Sequence, residues 1–135
     1  MNTKELAPAK VQREKQAWLD CIEDLLNKVE SWAKASGWEV ARETKTLSED
    51  ALGDYEVPVL KLRATGGGIV FVEPEARYVI GADGRVDIYA WPTLQRLLLI
   101  RSKGQWQLKT DSGVPWPELW GKKTFASIVK SLTEA

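Results

Sequence analysis

The sequence has no histidine and a single cysteine, Cys21, among its 135 residues. Without histidine, Ser-His-Asp and Cys-His catalysis are excluded. Zinc sites built from His and Cys are excluded as well, because one cysteine cannot supply the ligands. General acid–base chemistry would fall to Asp, Glu, Lys or Tyr, and no short motif places two carboxylates in an evident active site. We therefore predict no catalytic residues, no metal and no cofactor, and we regard an enzyme as the least favoured class.

The sequence also lacks net charge, since 19 basic residues balance 19 acidic ones. A bulk electrostatic attraction to nucleic acid or to an anionic membrane is therefore not indicated. No uncharged run approaches the ~18 residues of a membrane span. The first thirty residues carry charges throughout, unlike a signal peptide. We accordingly expect a cytoplasmic protein with no membrane partner.

Three short motifs resemble a phosphate loop, a calcium loop and an acid–base pair, but the residues around each motif argue against that function. The glycine-rich "TGGGIV" lies between two predicted strands and lacks the helix and the Lys-Ser/Thr of a phosphate loop. The stretch "DGRVD" offers only Asp83 and Asp87 as carboxylates, too few for calcium, and strand alternation points Asp87 outward. Glu73 and Glu75 flank a proline, which indicates an exposed turn rather than an acid–base pair.

A long amphipathic helix opens the chain. Its apolar residues recur at steps of three, four and seven, which predicts a helix from about Ala9 to Ala35, ended by a left-handed Gly37. Cys21 lies beside the apolar stripe, as a buried and inert thiol would. The stripe consists of Val11, Trp18, Ile22, Leu25, Leu26, Val29 and Trp32.

After Gly37 the apolar period changes from 3.6 to 2, which predicts strands. We expect strands at 38–46, 55–64 and 69–73, joined by the polar connection "LSEDALGD" and by the "TGGG" turn. Pro58 indicates a sheet edge or a bulge, because proline cannot donate a ladder hydrogen bond.

Asp83-Gly84 separates two β-rich runs and predicts a two-residue hairpin turn. That turn would pair Tyr78 with Tyr89 and Ile80 with Asp87. The opposite face would then be small and apolar and would look inward. This inward face comprises Val79, Gly81, Val86, Ile88 and Ala90.

Lys103-Gly104 predicts a second two-residue hairpin, in which Arg101 lies opposite Trp106. Thr124 is the expected N-cap of a closing helix, whose stripe is Phe125, Ile128, Val129 and Leu132.

These patterns predict one α+β domain over residues 1–135, with residues 1–8 disordered. The expected architecture is a long N-terminal helix, an antiparallel meander of about six to seven strands, and a short C-terminal helix packed on one sheet face. This layout resembles that of small bacterial adaptor, immunity and secretion-chaperone proteins. The resemblance is one of architecture only, and it assigns no role to any residue.

Aromatic residues are the surplus that bears on function, since the chain has seven tryptophans and three tyrosines but only two phenylalanines. Trp18, Trp32 and Trp106 fall on predicted core faces. Trp120 is expected to pack under the last helix, and Trp116, held between two prolines, to be the more exposed. The candidate binding residues are Tyr78, Arg85, Tyr89, Trp91, Arg96 and Trp116.

The hypothesis that fits these residues best is a non-enzymatic protein-interaction module that binds a protein partner or forms a homo-oligomer, because Trp, Tyr and Arg dominate interface hot spots. One alternative is a small-molecule-binding domain with an aromatic-lined cavity of ~300 Å³ or more and Arg96 or Arg101 pointing into it. A less favoured alternative is single-stranded nucleic-acid binding, with bases stacking on Tyr78 and Tyr89.

Overall fold

The computed structural model describes residues 8–133 and shows the predicted α+β class. Six strands follow one another in an antiparallel meander between two helices, in the spatial order β1-β2-β3-β4-β5-β6. The elements are α1 (Pro8–Ala35), β1 (Glu39–Glu49), β2 (Gly53–Arg63), β3 (Ile69–Ala76), β4 (Gly84–Trp91), β5 (Arg96–Ser102), β6 (Gln105–Thr110) and α2 (Lys122–Thr133). Pro8 already belongs to α1, and the disorder expected for residues 1–7 lies outside the described residues. Within 8–133, no helix is both long and apolar enough to cross a membrane.

Helix α1 has the predicted bounds and ends as the sequence indicates. Gly37 adopts a positive φ of 79°. Its N–H donates to the Lys34 carbonyl, and the N–H of Trp38 donates to the Ala33 carbonyl, both at 3.0 Å. This pair of bonds is the Schellman arrangement, which satisfies the last helical carbonyls. The chain is thereby redirected into β1.

The core lies between both helices and one face of the sheet, which we call the inner face. Its strand residues include Leu60, Leu62, Val70, Val72, Val86, Ile88, Ala90, Leu97, Leu99 and Leu108. Rings close one end of this core: Trp120 lies 5.7 Å from Trp32 and 5.9 Å from Phe125, and Trp38 lies 5.9 Å from Phe125. The prediction that Trp120 packs under α2 is therefore confirmed.

The predicted Asp83-Gly84 hairpin is wrong. Tyr89 pairs with Phe71, and Asp87 pairs with Glu73, because β3 continues to residue 76 and the chain needs residues 77–83 to reach β4. Gly84 does not form a turn, and its lack of a side chain allows close packing against α1. A Cβ on Gly84 would lie 2.4 Å from the ring of Trp18, which is only 2% exposed. Burial of this ring, rather than local turn preference, fixes the glycine at the start of β4.

The Lys103-Gly104 hairpin is confirmed. Arg101 pairs with Trp106, and Lys103 and Gly104 have φ of 51° and 75°. Two positive φ angles are what a tight turn needs to match the twist of its strands.

Other details of the strands differ from the sequence prediction. The expected polar connection at 47–54 is mostly strand, since β1 runs to residue 49 and β2 starts at residue 53. Pro58 pairs with Thr44 of β1, while β3 pairs only with residues 60–63 of β2. Proline therefore sits where β2 has a single neighbour, which is the predicted edge environment.

The expected N-cap role of Thr124 is wrong. Helix α2 begins at Lys122, and the N–H of Phe125 donates to the Gly121 carbonyl at 2.8 Å. The Thr124 hydroxyl donates to the Leu119 carbonyl at 2.5 Å. The helix therefore begins three residues earlier than an N-cap at Thr124 would allow, and Gly121 occupies the N-cap position.

Candidate functional site

The sheet has a second face, which points away from both helices and which we call the outer face. Successive strand residues point to opposite sides, so the residues between the core positions lie on it. One row of this face crosses four strands: Lys61 pairs with Phe71, Phe71 with Tyr89, and Tyr89 with Arg96. We call these four residues the stacked row.

The side chains of the stacked row form a continuous stack. The rings of Phe71 and Tyr89 are 5.0 Å apart and nearly parallel, at 17°. The Arg96 guanidinium lies 4.5 Å from the Tyr89 ring, and the Lys61 ammonium lies 6.0 Å from the Phe71 ring. Cations favour the electron-rich faces of aromatic rings. Each ring therefore has one face against the other ring and one face against a cation, and its edge points outward.

Asp87 fixes one end of the stack. It is fully buried, although it points to the outer face as strand alternation predicts. Its carboxylate accepts two hydrogen bonds from Arg85, at 2.7 and 2.9 Å, and one from Arg96 at 2.5 Å. Such charge-assisted, bidentate contacts are strong and directional. They hold the Arg96 guanidinium in place over Tyr89.

Next to Asp87, two carboxylates share one lysine. The Lys45 ammonium lies 3.1 Å from Glu73 and 3.4 Å from Glu75. Burial raises the pKa of Glu73, but hydrogen bonds with Glu75 and Lys45 outweigh burial and hold that pKa below its usual value. Burial and the hydrogen bond with Glu73 raise the pKa of Glu75. Burial, with the adjacent Glu73 carboxylate, raises the pKa of Tyr89 to about 12.

The interpretation of Glu73 and Glu75 as an exposed turn is therefore wrong. Both lie in β3 and are half-buried, because the strand runs three residues further than the sequence pattern indicates. Among residues 8–133, no group of His, Cys, Asp or Glu is placed to hold a metal ion.

The structure brings together four of the six candidate binding residues. Arg85, Tyr89 and Trp91 alternate along β4 on the outer face, and Arg96 stands beside them on β5. Trp91 is 55% exposed. It pairs with Ile69, so the apolar surface extends from the stacked row towards the end of the strand.

The other two candidates lie elsewhere. Tyr78 is in the 77–83 loop, where its hydroxyl donates to Glu14 of α1, so it does not share a surface with Tyr89. Trp116 is half-buried beside β6, where its backbone N–H donates to the Leu108 carbonyl at 2.9 Å.

Phe71, Ile69 and Lys61 belong to this surface but were not among the binding residues predicted from the sequence. The signal was present in the alternation of "IVFVE", which places Ile69 and Phe71 on the face opposite Val70 and Val72. This alternation alone could not predict the surface, because Phe71 becomes part of a stack only through its pairing with Tyr89, eighteen residues later along the chain.

The turn after β4 adds further exposed apolar surface. Leu94 is 65% exposed and has a positive φ of 59°, which is uncommon for a residue with a branched side chain. The Leu94 N–H donates to the Ala90 carbonyl at 3.0 Å, and the Thr93 hydroxyl donates to the Leu132 carbonyl of α2 at 3.1 Å. The turn is thus anchored at both ends, and its leucine points to solvent.

A cleft of about 530 Å³ lies beside this surface, between β5, the end of β6 and α2. Arg96, Leu97, Trp116 and Leu132 are among the residues that line it. Its volume satisfies the sequence-based criterion for a ligand cavity. However, the Arg96 guanidinium is already bound to Asp87 and stacked on Tyr89.

No protein-family model, curated protein or solved structure matches this chain. The function must therefore be argued from the surface itself.

Proposed function

We propose that the protein is a non-enzymatic interaction module that binds a partner protein on its outer face. The observation that carries this proposal is the stacked row, which continues into the exposed Trp91. A rigid aromatic and arginine surface loses little side-chain entropy on binding, because Asp87 and the neighbouring rings already fix its rotamers.

The occupied ring faces argue against nucleic acid. Stacking of bases on a sheet requires a free aromatic face. In the stacked row, Tyr89 and Phe71 cover one face of each other. The Arg96 guanidinium lies over the Tyr89 ring at 4.5 Å, and the Lys61 ammonium is 6.0 Å from the Phe71 ring. The charges of the surface are also largely neutralised among themselves, since Asp87 pairs with two arginines and Lys45 with two glutamates. Lys61 and Arg63 keep positive charge on this surface. Two cations are fewer than the several by which proteins neutralise a nucleic-acid backbone.

The chemistry of the outer face indicates the kind of partner. At the end of β4, Trp91 and Leu94 expose two large apolar side chains that a partner could contact. Lys61 and the half-exposed Arg63 lie beside it on β2, opposite Phe71 and Ile69. A partner segment with apolar side chains against Trp91 and Leu94, and with carboxylates against Lys61 and Arg63, would complement this surface.

The experiment compares two substitutions that each remove one exposed apolar side chain. Trp91→Ser removes the side chain at the outer face, and Ile80→Ser removes a fully exposed isoleucine in the 77–83 loop as the matched control. We expect affinity capture from the native host to recover the same proteins with wild type and Ile80→Ser, and to lose them with Trp91→Ser and with Lys61→Glu. Far-UV circular dichroism and urea unfolding would establish that each variant is folded.

Identical recoveries with all four proteins would contradict the proposal. Retention of the wild type on a single-stranded DNA column, falling steeply with salt, would favour nucleic acid instead.

A second candidate function, small-molecule binding, is favoured by the 530 Å³ cleft that Arg96 and Trp116 share. A ligand there would contact the Trp116 indole, so binding should change tryptophan fluorescence in wild type and not in Trp116→Phe. A fragment screen in which no compound produces this difference would count against the cleft.

A further inference from the structure

The two edge strands of the sheet, β1 and β6, differ in whether another segment covers their outward backbone groups. The chain that follows β6 covers that edge, because Lys109 pairs with Pro115 and the Trp116 N–H donates to the Leu108 carbonyl at 2.9 Å. At the other end of the sheet, β1 pairs with β2 and with no other segment of residues 8–133. Edge strands expose a row of backbone donors and acceptors, and proteins usually protect them with proline, a bulge, charged side chains or a covering segment.

Strand β1 carries no proline and no bulge. Its eleven residues pair with β2 in one uninterrupted register, from Glu39 opposite Arg63 to Glu49 opposite Gly53. In an antiparallel strand, alternate residues direct their N–H and C=O groups to opposite sides. A long and regular row of backbone groups is therefore available at the free side of β1.

We propose that β1 is a self-association edge, at which it pairs antiparallel with β1 of a second copy. The two-fold axis would pass midway between Thr44 and its counterpart in the second copy, and the two six-stranded sheets would become one. This surface is the strand edge and not the outer face, so the inference does not depend on the proposed function.

The charges of β1 select this register. Thr44 is the middle residue of β1, so centring there pairs all eleven residues and keeps the outer faces on the same side. It also sets Glu43 opposite Lys45 of the second copy, twice by symmetry. Centring on Glu43 or on Lys45 would instead place two like charges directly opposite, which destabilises a sheet pair.

The side chains around this axis leave room for the pairing. Thr44 and Thr46 are small and exposed. The Arg42 guanidinium is drawn towards α1, where it lies 3.0 Å from both Glu23 and Glu30. Lys45 contacts two carboxylates, and an ammonium has three donors, so one remains for Glu43 of the second copy.

The ends of the pairing would place Glu39 opposite Glu49, the one like-charged combination. The Glu49 carboxylate is occupied, since it accepts hydrogen bonds from the N–H groups of Arg77 at 3.0 Å and Tyr78 at 2.9 Å. Its charge is thereby turned inward and away from the strand edge.

The test is sedimentation equilibrium of the full chain with a charge series at Glu43. Glu43→Lys turns both attractive cross-strand pairs into repulsive ones, so we expect the dimer dissociation constant to rise about tenfold or more. Glu43→Gln removes the attraction without adding repulsion and leaves Lys45 on Glu73 and Glu75, so its dissociation constant should lie between those of wild type and Glu43→Lys. Glu118→Lys, the same charge change at an exposed site outside the sheet, is the matched control and should dimerise as wild type does.

Hydrogen exchange gives a second readout, because the amides of residues 39–49 that face the edge should exchange more slowly as the protein concentration rises. A monomeric wild type at millimolar concentration, or unchanged dimerisation in Glu43→Lys, would overturn the proposal. Trp91→Ser should leave the dimer intact. Its loss in that variant would place the second copy on the outer face, which overturns the edge pairing while leaving outer-face binding supported.

Discussion

Replacing Asp87 by alanine removes the carboxylate that two arginines contact on the outer face. Asp87 is fully buried, and Arg85 and Arg96 approach its oxygens to 2.7 and 2.5 Å. Within residues 8–133, neither arginine forms an ion pair with another acidic residue. The substitution therefore leaves two neighbouring guanidinium groups without an anion.

The size of the effect follows from the burial of the three side chains. Removing one partner of a fully buried ion pair costs about 3–5 kcal/mol. Here each arginine side chain remains 35% exposed, so water recovers part of its solvation and we expect a loss of about 2 kcal/mol. For a chain of 135 residues, the unfolding entropy converts this loss into a melting temperature lower by about 7 °C.

Urea unfolding at neutral pH is the assay, with Asp83→Ala as the control for removing an exposed carboxylate from the same part of the chain. The triple variant Arg85→Met/Asp87→Leu/Arg96→Met should return to within about 1 kcal/mol of wild type, because no uncompensated charge remains. A loss below about 0.5 kcal/mol in Asp87→Ala would refute the reasoning. A triple variant as unstable as the single one would show that lost packing, and not unpaired charge, is the cause.

Two further predictions concern the inner face and the carboxylates of β3. Gly84→Ala would push a Cβ into the Trp18 ring and should lower the free energy of unfolding in urea by about 1–3 kcal/mol. Gly66→Ala, with open space around it, is the control and should be nearly neutral. Equal losses of stability in the two variants would contradict the packing role of Gly84. Because the pKa of Glu75 is raised, its contribution to stability is lost as the pH rises above 4.5, so Glu75→Gln should stabilise the protein at pH 7 by less than about 1 kcal/mol. The pKa of Glu73 is lowered below its usual 4.5, so Glu73→Gln should destabilise the protein at pH 7, and by progressively less as the pH falls below 4.5. The same sign for both variants at pH 7 would refute the assignment.

Local pattern was sufficient where a structure depends on residues close in the chain. The period of α1 and the left-handed Gly37 fix a helix whose bonds join residues a few positions apart. Lys103-Gly104 specifies a turn in which strand partners follow immediately, so the Arg101–Trp106 pair could be predicted. The class and the order of the elements are sums of such local preferences, and this is why they were predictable.

Only the tertiary structure decided what the outer face contains. Asp83-Gly84 carries the same turn signal as Lys103-Gly104, yet burial of Trp18 against Gly84 outweighs that preference. With the hairpin displaced, Tyr89 meets Phe71 instead of Tyr78. Sequence alternation by itself determined which residues of a strand share a face, because backbone geometry imposes a period of two. Which strands stand side by side depends on packing between distant segments, and that packing assembles the stacked row and buries Asp87 between its arginines.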